Sequence, residues 1–87
     1  MSGAAFPLNP VVEQMRQLKI DRAARIVEKG LLIGLGLEKA RRFVNQHGVR
    51  TRVIMKDGVA RLVTQDVRLD RINVHVVDNK VEHAYVG

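Results

Sequence analysis

The run Thr64-Gln65-Asp66-Val67-Arg68-Leu69-Asp70-Arg71 leads without a break into Ile72-Asn73-Val74-His75-Val76. The second part alternates apolar and polar residues, as a strand with one buried face does. The first part carries too much charge for a core segment and too few turn residues for a simple hairpin tip. A long connection mounted on a strand is where a small scaffold displays something to a partner. Whatever this chain folds into must hold that segment at the surface while burying Ile72, Val74 and Val76.

The scaffold available is small. Eighty-seven residues, 46% of them apolar, make one modest core. There is no cysteine, which excludes a disulfide framework, a thiolate metal site and a cysteine nucleophile. Stability must come from packing alone. The formal net charge of +6 suits nucleic acid, a membrane surface or an acidic protein as partner, or simply solubility. The basic residues are spread over every segment, however, and the only aromatics are Phe6, Phe43 and Tyr85. Single-stranded nucleic acid is usually gripped by stacking on aromatic rings, so nucleic acid is not the expected partner. The segment 1–8 lacks the basic and apolar regions of a secretory signal, and Leu31-Leu32-Ile33, interrupted by Gly34 and Gly36, is far too short to span a bilayer. The expectation is a soluble chain with the cytoplasm as its default location.

Residues 1–8 read as a flexible lead-in. Asn9-Pro10 reads as a helix start, asparagine capping and proline in the first turn. Val11, Val12, Met15 and Leu18 then share one face. The pattern degrades after Ile20, where Asp21 can cap a second short helix ending at Gly30, so one bent helix and two short ones fit equally. Leu31 to Gly36 reads as a linker that packs. Leu37 to His47 is an amphipathic helix with Leu37, Ala40, Phe43 and Val44 inward, Glu38 in its first turn, Arg41 and Arg42 further on as the helix dipole prefers, and Gly48 as its stop.

Val49 to Lys56 alternates as a half-buried strand, with Arg50, Arg52, Ile54 and Lys56 on its second face. Asp57-Gly58 predicts a hairpin turn, but residues 59–71 do not return as a simple paired strand. Asp78-Asn79-Lys80 is a turn and Val81 to Val86 a closing strand. The fold expected is α+β: one helix packed on a small mixed β-sheet with a long exposed binding loop, plus an N-terminal helical extension. Residues 1–30 form the extension and 31–87 the domain.

Catalytic chemistry is not expected. Ser2 is the only serine, and His47, His75 and His83 have no ligand spacing, so no metal and no cofactor are predicted. Gly34-Leu35-Gly36 is half of a dinucleotide fingerprint, but Lys39 stands where the third glycine belongs and no strand precedes it. Asp66 and Asp70 lie four apart in a loop, unlike a catalytic carboxylate pair.

Glu38-Lys39-Ala40-Arg41-Arg42 within 34–46, the run Val63-Thr64-Gln65-Asp66-Val67-Arg68-Leu69-Asp70-Arg71-Ile72, and the ending Val86-Gly87 together resemble the potato inhibitor I family of serine protease inhibitors. The resemblance covers about residues 31–87, though 55–64 does not align cleanly. It implies a loop that enters a protease cleft like a substrate, with Gln65–Asp66 as the scissile bond and Gln65 in the primary specificity pocket. Leu62, Val63, Thr64, Val67 and Arg68 would contact the enzyme. In the family the residues flanking the bond are tied back to arginines on the following strand. Here Arg71 stands at one such position and Asn73, a shorter and neutral donor, at the other, which is expected to loosen the loop. Arg68 and the Gly87 carboxylate are positioned to join this support.

The mechanism makes physical sense apart from the family. A flexible loop would be cut as a substrate, whereas a pre-ordered one avoids an ordering cost of about 0.5–1.5 kcal/mol per immobilised side chain. Arg–carboxylate pairs fix geometry as well as adding energy. A neutral polar Gln65 suits neither a cation-seeking nor a large apolar pocket, so a broad, subtilisin-like site is the expected target, or else a glutamine-preferring protease. The extension would pack within the chain or across a homodimer. The alternative is a non-inhibitory interaction module acting through the basic extension on an acidic partner or by self-association.

Overall fold

The computed structural model describes residues 10–87. Its first element, α1 (Pro10–Glu28), is one unbroken helix. Asp21 caps no second helix; it lies mid-helix and accepts a 2.9 Å hydrogen bond from Gln17 one turn earlier. Pro10 opens the helix, while Asn9 and the lead-in lie outside the described residues. The end is closed by Gly30, at φ 61°, with Gly30 N–H bonding Val27 and Leu31 N–H bonding Ile26, a reciprocal pair that satisfies the last carbonyls.

Only Ala23 and Ile26 of α1 are buried, and both join the same core as the rest of the chain. Val12, Met15 and Leu18, in the first half of the helix, stay about half exposed. The glycine-punctuated linker does pack. Leu32 is buried, and the segment bonds the final hairpin through Gly34 N–H to Val81 and Val81 N–H to Leu35, both 2.8 Å.

Helix α2 (Leu37–Gln46) buries Leu37, Ala40 and Val44, with Phe43 packed partly against them. Gly48 at φ 72° ends it, by the same reciprocal closure: Val49 N–H to Val44 and Gly48 N–H to Asn45. The expected use of Arg41 and Arg42 against the helix dipole is not what is seen. No basic residue lies in the last turn, and Arg41 instead faces Glu38 at 3.4 Å.

Strands β1 (Arg50–Lys56), β2 (Val59–Ala60), β3 (Arg71–Val77) and β4 (Lys80–Val86) form one mixed sheet in the order β2-β1-β3-β4. The turns Asp57-Gly58 and Asp78-Asn79 have positive φ at both residues, the geometry whose twist matches a hairpin. β1 and β3 run parallel, with Val53 opposite Val74 and Arg52 opposite Asn73. Ile72, Val74 and Val76 lie in the core with Val49, Val53 and Val81. The class is therefore α+β, with helical packing on a small four-stranded mixed sheet. The central strand β3 departs from simple alternation, because Arg71 and Asn73 on its other face are also buried, at 9% and 3% exposure. What covers that second face defines the candidate site.

Candidate functional site

After Ala60 the chain leaves the sheet and does not re-enter it until Arg71. Parallel neighbours need a crossover, usually a helix. Here the crossover has no regular structure over 61–68. Every residue from 61 to 69 is exposed; Leu62 is fully so and Val67 75% so. The segment is pinned to the sheet at its base by Arg61 N–H to Ile54 (2.9 Å) and by Arg50 N–H to Asp70 (3.2 Å). Between those points its order comes from side chains.

Two arginines from adjacent strands reach up to it, one on each side of Gln65–Asp66. Arg52, on β1, donates through Nη1 to the Thr64 carbonyl oxygen at 2.9 Å and to Thr64 Oγ1 at 3.3 Å. Arg71, on β3, donates through Nη2 to the Asp66 carbonyl oxygen at 2.8 Å and through Nη1 to Asp66 Oδ2 at 3.4 Å. The two are joined above the sheet, because Thr64 Oγ1 donates to Asp66 Oδ1. Arg52 and Arg68 approach the same carboxylate, each at 3.6 Å. A planar, forked donor holds a carbonyl and a second acceptor in one fixed geometry, whereas a lysine ammonium is a point charge with freely rotating donors.

Each arginine is itself positioned from below. Arg71 Nε donates to the Gly87 backbone oxygen at 2.8 Å, and Gly87 N–H returns a 3.0 Å bond to the Arg71 carbonyl. Arg52 Nε donates to Asn73 Oδ1 at 2.8 Å. An arginine can only donate, so the oxygen of the Asn73 amide must face it. The Asn73 amide nitrogen lies against Gly87. A Cβ built on Gly87 would stand 2.8 Å from that nitrogen, so any side chain there would push the Asn73 amide aside.

This arrangement replaces the expected weakness at Asn73. The asparagine is not a short loop donor; it is the acceptor that aims Arg52, and Arg52 does the holding. In the sequence Arg52 reads only as one residue of the second strand face, with no role in the site. The signal available was Asn73 itself, an amide on a central strand that needs a partner once buried. Of the other residues singled out, Thr64, Asp66, Arg68, Arg71, Asn73 and Gly87 are brought into one network. Among the described residues Gln65 has no side-chain hydrogen-bond partner, and Leu62, Val63 and Val67 are exposed.

The Asp66 carboxyl is held below the usual carboxylate range. The hydrogen bond from Thr64 is the largest cause; desolvation opposes it, and the Arg71 bond and the charges of Arg71 and Arg52 add to it. Chemically, the site restrains a backbone segment at Thr64 and Asp66 and leaves its side chains exposed. No group of three or more histidine, aspartate or glutamate side chains that could hold a metal occurs among the described residues. His75, His83 and Tyr85 pack edge to face across β3 and β4, with ring centroids 5.5 and 6.0 Å apart. No helix of the described residues is long and apolar enough to cross a membrane. No protein-family model, no curated protein and no solved structure matches this chain.

Proposed function

We propose that this protein is a non-covalent, substrate-like inhibitor of a serine protease, acting through the loop around Gln65–Asp66. The observation that carries this reading is the pair of arginines that grip the Thr64 and Asp66 carbonyl oxygens from two different strands. Such bonds restrain the backbone on both sides of one peptide bond while Gln65 itself stays exposed and uncommitted. A segment held that way forfeits little entropy on entering a cleft. After hydrolysis each new end would still be tied to the sheet, so religation would compete with release.

Leu62, Val63, Thr64, Val67 and Arg68 are the proposed contacts beside the scissile bond. A neutral Gln65 fits a broad, solvent-accessible specificity pocket, so a subtilisin-like enzyme is the favoured target. The test is titration against a panel of subtilisin- and chymotrypsin-type proteases with mass analysis of the products. Tight inhibition, with slow cleavage confined to Gln65–Asp66, is expected. Rapid digestion at that bond by every enzyme, with none inhibited at about micromolar protein, would sink the proposal.

A further inference from the structure

On its side facing α2, the second half of α1 leaves a cleft of about 390 Å³. The floor is apolar, made by Ile26, Leu31 and the partly buried Phe43. The rim carries Arg22 and Arg25 on α1 and Lys29 just past its end, with the His47 side chain at the end of α2 beside them. Spacings of three and four put those cations on one side of the helix. No carboxylate lines the cleft. Arg16, Arg41, Arg52, Arg68 and Arg71 each have a carboxylate within 3.6 Å. Arg22, Arg25 and Lys29 have none among the described residues, as is true of several other basic residues of the chain; these three differ in ringing one apolar concavity, and of them only Arg22 is engaged, by a 3.4 Å bond to the His47 carbonyl.

Cations without carboxylate partners around an apolar floor favour an anionic ligand with an apolar body. The shape narrows the choice. A bilayer is flat and would meet the rim without filling the concavity between the two helices. A protruding side chain enters a concavity between two helices. A second copy of this chain brings a net charge of +6 against the same rim. We infer that the cleft binds an acidic peptide segment carrying one bulky apolar side chain. That side chain sits on Ile26, Leu31 and Phe43, and the flanking carboxylates meet Arg22, Arg25 and Lys29. The cleft shares no residue with the loop, so this binding is independent of protease inhibition.

The experiment titrates the full chain, labelled with nitrogen-15, with a short synthetic peptide of glutamates flanking one phenylalanine. Amide shifts are expected to concentrate in residues 22–31 and 43–47. Affinity should fall by about tenfold when the phenylalanine becomes glycine, when the glutamates become glutamines, and in the Arg25→Glu/Lys29→Glu variant. Both positions are exposed, and circular dichroism checks the fold; if the reversal unfolds the chain, Arg25→Gln/Lys29→Gln makes the same comparison. Shifts centred elsewhere, equal binding of the glycine peptide, or unchanged affinity in the variant overturns the inference. So does no peptide binding alongside binding to phosphatidylserine vesicles.

Discussion

The loop over 61–70 and the first half of α1 are the two parts of this molecule that stand most clearly in solvent, and they are held in opposite ways. Both leave apolar side chains exposed, Leu62 and Val67 in one, Met15 and Leu18 in the other. The helix satisfies its own backbone and is anchored to the core from its second half, through Ala23 and Ile26. The loop has no backbone pattern of its own and is fixed by side chains sent up from β1 and β3. That restraint has a cost: Arg71 and Asn73 occupy buried positions on a central strand, where polar groups must each find partners. A fold that spends two buried positions of its central strand on restraining an irregular segment is organised in part around that segment. Exposure alone, as on α1, carries no such meaning.

The comparison is broken most severely at Arg71. Arg71→Ala removes the bonds to Asp66 and to Gly87 together. Inhibition is expected to weaken by roughly ten- to a hundredfold, with faster cleavage at Gln65–Asp66. Inhibition constants and product masses measure this, and unchanged values would strip Arg71 of its role. Arg52→Ala comes next and should also leave the Asn73 oxygen buried and unsatisfied, costing about 1–3 kcal/mol of stability in denaturant unfolding. Arg52→Ala/Asn73→Val is expected to recover much of that stability without recovering inhibition, which separates holding the loop from holding the fold. Full recovery of both would show that the loop needs no Arg52.

A smaller effect follows from Asp66. Its pKa is lowered in the folded chain, so its contribution is complete above the ordinary carboxylate value, about 3.9, and is lost as pH falls through the lower folded value. Loop protection against amide hydrogen exchange, corrected for the intrinsic rate, should be flat from about pH 5 to 8 and decline only below about pH 4. A midpoint near neutrality would point to another group. The smallest change is expected on the helix. Met15→Ser/Leu18→Ser should alter stability by no more than about 0.5 kcal/mol and leave inhibition untouched. A large loss in either measurement would mean that the two exposed regions are not as different as their structures suggest.

Local patterns in the chain anticipate much of this architecture. Alternation marks Ile72, Val74 and Val76, the apolar stripe marks α2, and Asp57-Gly58 and Gly48 mark the turns, because each depends on neighbours in sequence. The unity of α1 is less visible, since Asp21 is as comfortable bonding Gln17 inside a helix as capping a new one. Half of the support network is also readable. Thr64, Asp66 and Arg71 lie within one short run, close enough for a single strand to bring them together. Arg52 is far from them in the chain and reaches them only because β1 lies parallel to β3 with Arg52 opposite Asn73. Pairing of that kind is a property of the assembled sheet, and no periodicity announces it.

The parallel pairing of β1 with β3 has one more consequence. The Gln65–Asp66 bond divides the chain between a segment holding both helices, β1 and β2, and one holding β3 and β4. The two segments meet along the middle of the sheet and through the core, where Val53 faces Val74 and Val44 and Leu37 share a cluster with Ile72 and Val81. The loop supplies their covalent continuity but little of their cohesion. Two peptides made separately, 1–65 and 66–87, are therefore expected to recognise each other and assemble as a heterodimer with the form of the intact domain.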